Sequence, residues 1–132
     1  MTQPSITRSR DAGITLFALG REATPAAFVA AFRELLSDPT PHVLWDLREC
    51  SLSRLSHDQL RWLVSQLMRS DFRKRPGGRT ALVCSGDDDE NVMRLLVAYA
   101  EANDYPIDLA VFRDTGPARL WLAANAPAEG PE

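Results

Sequence analysis

The chain has 132 residues, 45% of them hydrophobic and 25% charged, the balance of a single globular domain with a core that needs neither disulfides nor a structural metal. Its net charge of −3 repels phosphate backbones and anionic membrane surfaces, so nucleic acid is not an expected partner. The lone Cys50 and Cys84 lack CxxC spacing and a nearby histidine at ligand spacing, and read as reduced thiols.

The residues from Met1 to Pro4 are polar and lead into Arg8 and Arg10, unlike a signal peptide, and no apolar run approaches the ~20 residues that cross a bilayer. A cytoplasmic location without integral membrane contact is the expectation.

Residues 5–10 and 13–19 alternate apolar with polar or small side chains around Asp11-Ala12-Gly13, which predicts a hairpin whose first strand has Ile6 as its firm apolar residue. Thr24 and Pro25 supply an N-cap and a first-turn proline. Phe28, Phe32, Leu35 and Leu36 then recur at helical spacing, and the helix stops before Pro39 and Pro41. Residues 42–47 read as a buried parallel strand.

A second helix follows at Ser56, with Leu60, Leu63, Val64, Leu67 and Met68 on one face and Arg61, Ser65, Gln66 and Arg69 on the wet side. After a loop over 74–79, residues 80–85 have the continuous apolar character of a central strand. The third helix begins among Asp87, Asp88, Asp89 and Glu90, whose carboxylates offset the positive end of its dipole, and runs to about Asn103. Residues 107–112 form the last strand. Thr115-Gly116-Pro117 opens a final helix whose Ala118, Leu120, Trp121 and Leu122 are expected to close the core.

The predicted order is β-β-α-β-α-β-α-β-α. It implies an α/β fold with a mostly parallel sheet of four to five strands, about four helices and right-handed crossovers, helices two and three packing together on one face. One domain spans 1–126, and 127–132 is a polar tail.

Several residues invite chemistry. Ser56 suits an N-cap, with Gln59 completing a capping box, and the same position tolerates a phosphate facing the helix dipole. Ser51 and Ser53 share its loop. His57 and Asp58 adjoin Ser56, but neighbours at a helix start cannot take up the geometry of a catalytic triad, and no GxSxG elbow exists. The Asp87 to Glu90 cluster lacks the spacing of a calcium loop, Gly77-Gly78 lacks any phosphate-binding pattern, and His42 reads as structural.

No catalytic residue, metal or cofactor is therefore expected. Arg69, Arg73, Lys74, Arg75 and Arg79 form a basic concentration, read as solvated charge at the end of helix two, with docking of an acidic partner or a phosphorylated ligand as the alternative. Val92, Met93, Leu95, Leu96, Val97, Tyr99 and Ala100 spread around more of helix three than one sheet-facing stripe needs, so Met93, Leu96 and Tyr99 mark a candidate ligand or subunit surface. Trp45, Trp62 and Trp121 read as core or boundary residues.

The element order resembles the SpoIIAA-like branch of the STAS and Sec14-related superfamily. So do the words within it: Val43-Leu44-Trp45-Asp46-Leu47-Arg48, Ala81-Leu82-Val83, Met93-Arg94, and Val111-Phe112-Arg113-Asp114 followed by Ala118 and Trp121-Leu122. The resemblance spans about Gly13 to Ala123. It implies a non-catalytic regulatory protein-interaction module like the anti-sigma-factor antagonists, in which a partner kinase phosphorylates a serine or threonine at the start of the second helix.

Ser56 is the nearest counterpart here, in Leu55-Ser56-His57-Asp58, where antagonists carry an acidic residue before the serine and a glycine soon after. Ser56, Ser53, His57 and Asp58 are thus the candidates for partner binding or phosphorylation, the partner being a regulator, a kinase or a second copy of the chain. The Sec14-like side of the resemblance implies an alternative, a carrier for a small apolar ligand or lipid.

Overall fold

The structure is a computed structural model and describes residues 6–21, 23–69, 74–75 and 77–124; the expected tail at 127–132 lies outside them, as do Ser5 and Arg73. Strands β1 (Ile6–Asp11) and β2 (Ile14–Leu19) are joined by Ala12 and Gly13, both at positive φ, 54° and 78°. Positive φ at both central positions gives a hairpin turn whose twist matches that of its strands; glycine takes it up freely, alanine at a steric cost.

The remaining elements follow the predicted order. They are α1 (Pro25–Leu35), β3 (His42–Asp46), a 3₁₀ turn (Leu52–Arg54), α2 (His57–Met68), β4 (Arg79–Val83), α3 (Asp87–Ala102), β5 (Asp108–Phe112) and α4 (Thr115–Ala124). The strands lie side by side in sequence order, β1 antiparallel to β2 and the others parallel. Each right-handed crossover steps to the next strand in the same direction, which places α1, α2 and α3 on one face. Only α4, which follows the last strand, is free to cover the other.

Register carries one cross-sheet row, Arg8–Phe17–Trp45–Leu82–Val111, beneath the three helices. The Phe17 and Trp45 rings stack at 4.1 Å, and Phe28 of α1 lies 4.2 Å from the same indole. On α2 the buried residues are Leu60, Leu63, Val64 and Leu67, the predicted stripe. The wide apolar arc of α3 also has a packing cause: the helix contacts β5, α2 and the 3₁₀ turn at once.

On the opposite face, Leu44, Ala81 and Val83 meet Ala118 and Leu122 of α4. The alanines at 81 and 118 are fully buried, and so small that the helix can approach the sheet closely. Leu120 does not close this core: it is 72% exposed, because Ala118 and Leu122, four residues apart, face the sheet and turn Leu120 away.

The expected solvated basic patch is also corrected. Arg75 is 2% exposed, and its guanidinium donates to the carbonyls of Thr40 (3.2 Å) and Pro41 (3.0 Å) and to the Thr80 hydroxyl (2.8 Å). Burial pushes its pKa down from the usual arginine value. The side chain clasps the starts of β3 and β4 together. Gly78 permits this, since a Cβ there would stand 2.4 Å from the Pro41 carbonyl oxygen. Arg79 departs from the cluster too, pairing with Asp108 at 3.5 Å and lying over the Trp121 ring.

Candidate functional site

The segment between β3 and α2 leaves the carboxyl edge of the sheet, where the loops of parallel strands converge. The Leu47 amide donates to Val83 at 2.7 Å, extending the β3–β4 pairing by one residue. Arg48 then folds back so that its Nε and Nη2 reach the two Asp46 carboxylate oxygens at 2.9 and 2.8 Å. This fork holds the Asp46 carboxyl below its ordinary value. In the 3₁₀ turn Leu52 is buried, while the Ser53 amide donates to Asp89 of α3 at 3.0 Å. The loop is therefore fastened at both ends before it reaches α2.

Ser56 caps α2 as its sequence context predicts. Its hydroxyl accepts from the Gln59 amide at 3.1 Å, and the Gln59 side chain accepts from the Ser56 amide at 2.8 Å. Ser51, Ser53, Ser56, His57 and Asp58 are all exposed. His57 Nδ1 lies 3.1 Å from the Tyr99 hydroxyl of α3, and Asp58 accepts from Arg61 at 2.6 Å. The three neighbours thus face three different partners and do not form an acid–base–nucleophile set.

The carboxylates that open α3 are tied to cations and to the loop. Glu90 accepts from Arg94 at 2.8 Å and from Arg113 at 2.6 Å, Arg113 also reaches Asp87, and Asp89 holds Ser53. The hydrogen bonds from Arg94 and Arg113 hold the Glu90 carboxyl below its usual range. Among the described residues no group of three His, Cys, Asp or Glu side chains is arranged to hold a metal ion.

Beneath the same loop lies a cavity of about 290 Å³, open to solvent on one side. Its floor is the carboxyl edge of the sheet, with Leu19, Leu47 and Leu82. Phe28 of α1, Leu63 of α2, Met93 and Leu96 of α3 and Leu52 of the 3₁₀ turn make its apolar walls. Arg21, Thr24, Arg54 and Gln59 add polar groups to its lining.

Met93 and Leu96 are 2% and 3% exposed, so neither offers an outer surface to a second subunit; both look into this cavity, whereas Tyr99 lies half-buried beside His57. Cys50 also lines the cavity, and burial pushes its thiol up to about 11, which leaves it unreactive at neutral pH. Leu52 and Cys50 carry no periodic signal, so their place in the cavity was not readable from the sequence.

No helix among the described residues is long and apolar enough to cross a membrane. No family model and no curated protein matches the sequence. Among solved structures, the crystal structure of an anti-sigma factor antagonist from Mycobacterium paratuberculosis matches with a TM-score of 0.58 at 13% identity, over 93% of this chain and 99% of that one. At that identity the likeness is one of fold, and the chain has the STAS-like fold of an anti-sigma factor antagonist.

Proposed function

We propose that the chain is a non-catalytic regulatory module that works by binding another protein, with the β3–α2 loop and the first turn of α2 as its partner-facing surface. The observation that carries this reading is Ser56, exposed at the N-cap of α2 in a domain with the fold of an anti-sigma factor antagonist. The helix end presents amides and a favourable dipole, so a negative charge at Ser56 changes the surface without entering the core. Ser53, His57 and Asp58 lie on the same exposed stretch. The partner is a regulator or kinase of the cytoplasm.

The test uses a partner retained from the native host and purified, with its affinity measured for the wild type, Ser56→Ala and Ser56→Asp. Ser56→Ala loses a cap worth about 1 kcal/mol and stays folded. Ser56→Asp keeps an acceptor for the Gln59 amide and is expected to change the affinity by at least about tenfold, the effect of a single strong charge–charge contact. Equal affinities for all three would leave the serine as a cap alone. Sedimentation of the isolated chain tests whether a second copy is the partner.

The cavity favours a second reading, a carrier of a small apolar ligand. Its volume lies at the lower limit of ligand pockets, which suits a small molecule and not a two-chain lipid.

A further inference from the structure

We infer that the cavity under the β3–α2 loop is a regulatory site for a small amphipathic anion, a single-chain carboxylate of medium length, and that its occupancy is felt at Ser56. The binding claim rests on the cavity alone. The regulatory claim rests in addition on the partner surface proposed above.

Size, polarity and charge each narrow the ligand. A volume of 290 Å³ holds about ten groups at ~30 Å³ each, the share of a water molecule in the liquid. The floor and walls are leucine, phenylalanine and methionine side chains, which reward a hydrocarbon body. Among the described residues, the charged side chains of the lining are both arginines, Arg21 and Arg54. Both arginines are exposed, and neither pairs with a carboxylate among the described residues.

Of the nearby acids, Asp46 is held by Arg48 and Asp89 by the Ser53 amide, while the field of Glu49 falls on Cys50. The N-terminal ends of α1 and α2 also open here, with Thr24 and Gln59 in the lining, so their dipoles add positive potential at the polar part of the site. An apolar interior with a cationic rim is complementary to a chain with one anionic end.

The coupling follows from the chain path. Leu52, Arg54 and Leu55 form one wall and lead within a residue to the cap at Ser56. A ligand that presses on Leu52 or draws Arg54 inward moves the segment that sets the Ser56–Gln59 capping box.

Decanoate below its micellar concentration is the probe, followed through the methionine methyl resonances of the full chain. Met93 lines the cavity, whereas Met68 borders a separate groove between α2 and α3 and serves as an internal control. The expected result is a saturating shift of the Met93 methyl with Met68 unmoved, and binding of decanol roughly fivefold weaker, the scale of one solvent-exposed charge pair. In Arg21→Gln/Arg54→Gln, whose exposed sites leave the fold intact, decanoate and decanol are expected to bind alike.

An unmoved Met93 methyl, or equal shifts of Met68 and Met93, would overturn the site. Equal affinities of decanoate and decanol for the wild type would overturn its anionic selectivity. The Ser56 and Gln59 amides report the coupling: their resonances and exchange rates are expected to change with decanoate. Constant values while Met93 shifts would overturn the regulatory claim and leave the partner surface, tested by the Ser56 variants, standing on its own.

Discussion

The two faces of the sheet are built differently. Under α1, α2 and α3 lies a continuous apolar cluster running from Phe17 and Trp45 through Leu63 to Met93 and Leu96. Under α4 lies a small one, with Ile14, Leu44, Ala81, Val83, Ala118 and Leu122. Three crossovers of one hand account for the first, and a single ten-residue helix is all that remains for the second.

The thin face is supplemented at its margins. Arg119 of α4 reaches Asp11 at the hairpin end at 2.8 Å, Trp121 packs on Phe112, and Arg79 lies over the Trp121 ring. The thick face holds the larger hollow, about 290 Å³ and walled mostly by apolar side chains, whereas the hollow between the sheet and the start of α4 is about 200 Å³ and has Thr7, Ser9, Asp46, Thr115 and Arg119 in its lining.

The thick face depends most on Trp45. Trp45→Ala removes the ring held between Phe17 and Phe28, and should destabilise the domain by about 3–5 kcal/mol in urea unfolding, the usual cost of truncating a buried aromatic side chain. A loss below about half a kcal/mol, the scale of a surface substitution, would mean that the stack contributes nothing.

A pair of leucines compares the faces directly. Leu63→Ala and Leu122→Ala should each cost about 2–5 kcal/mol, with Leu122 the smaller because a peripheral helix can partly collapse or fray. Hydrogen exchange should show α4 amides opening before those of α2. A cooperative unit in which α4 is the last to exchange would reverse the ranking.

Arg75→Met keeps much of the side-chain volume but takes the donor from the Thr40 carbonyl and one of two donors from the Pro41 carbonyl, which keeps the Arg79 amide, so about 1–3 kcal/mol should be lost. An unchanged midpoint would make the clasp incidental. At the margin of the thin face, Arg119→Ala should cost no more than about 1 kcal/mol, since the pair is exposed.

The smallest effect concerns acid. Asp46 has a folded pKa below its unfolded value of 3.8, so its contribution is complete above that value and is lost as pH falls through the lowered folded one. Asp46→Asn should flatten the acid limb of the stability curve between those two points, and an unchanged slope would show that the Arg48 fork does not contribute.

The particular residues show where sequence reasoning reached. Leu60, Leu63, Val64 and Leu67 declared their face through helical spacing, and Ser56 with Gln59 declared a cap through residue types that satisfy amides locally. Leu120 misled because one apolar residue beside Trp121 and Leu122 looks like core until the i, i+4 pair at Ala118 and Leu122 is known to face the sheet. Met93 and Leu96 suggested a surface because the 3₁₀ turn that covers α3 carries no periodicity.

Sequence by itself determined the element order, the parallel sheet and the cap at Ser56, because each is written in neighbours a few residues apart. Tertiary structure alone decided that Arg75 is buried, since its partners at Thr40 and Pro41 lie 35 and 34 residues away and a cation in a loop reads as solvated until they arrive. It alone also decided the cavity, where Leu19, Leu52 and Met93, remote in sequence, become neighbours only when the crossovers bring the loops together at one edge of the sheet.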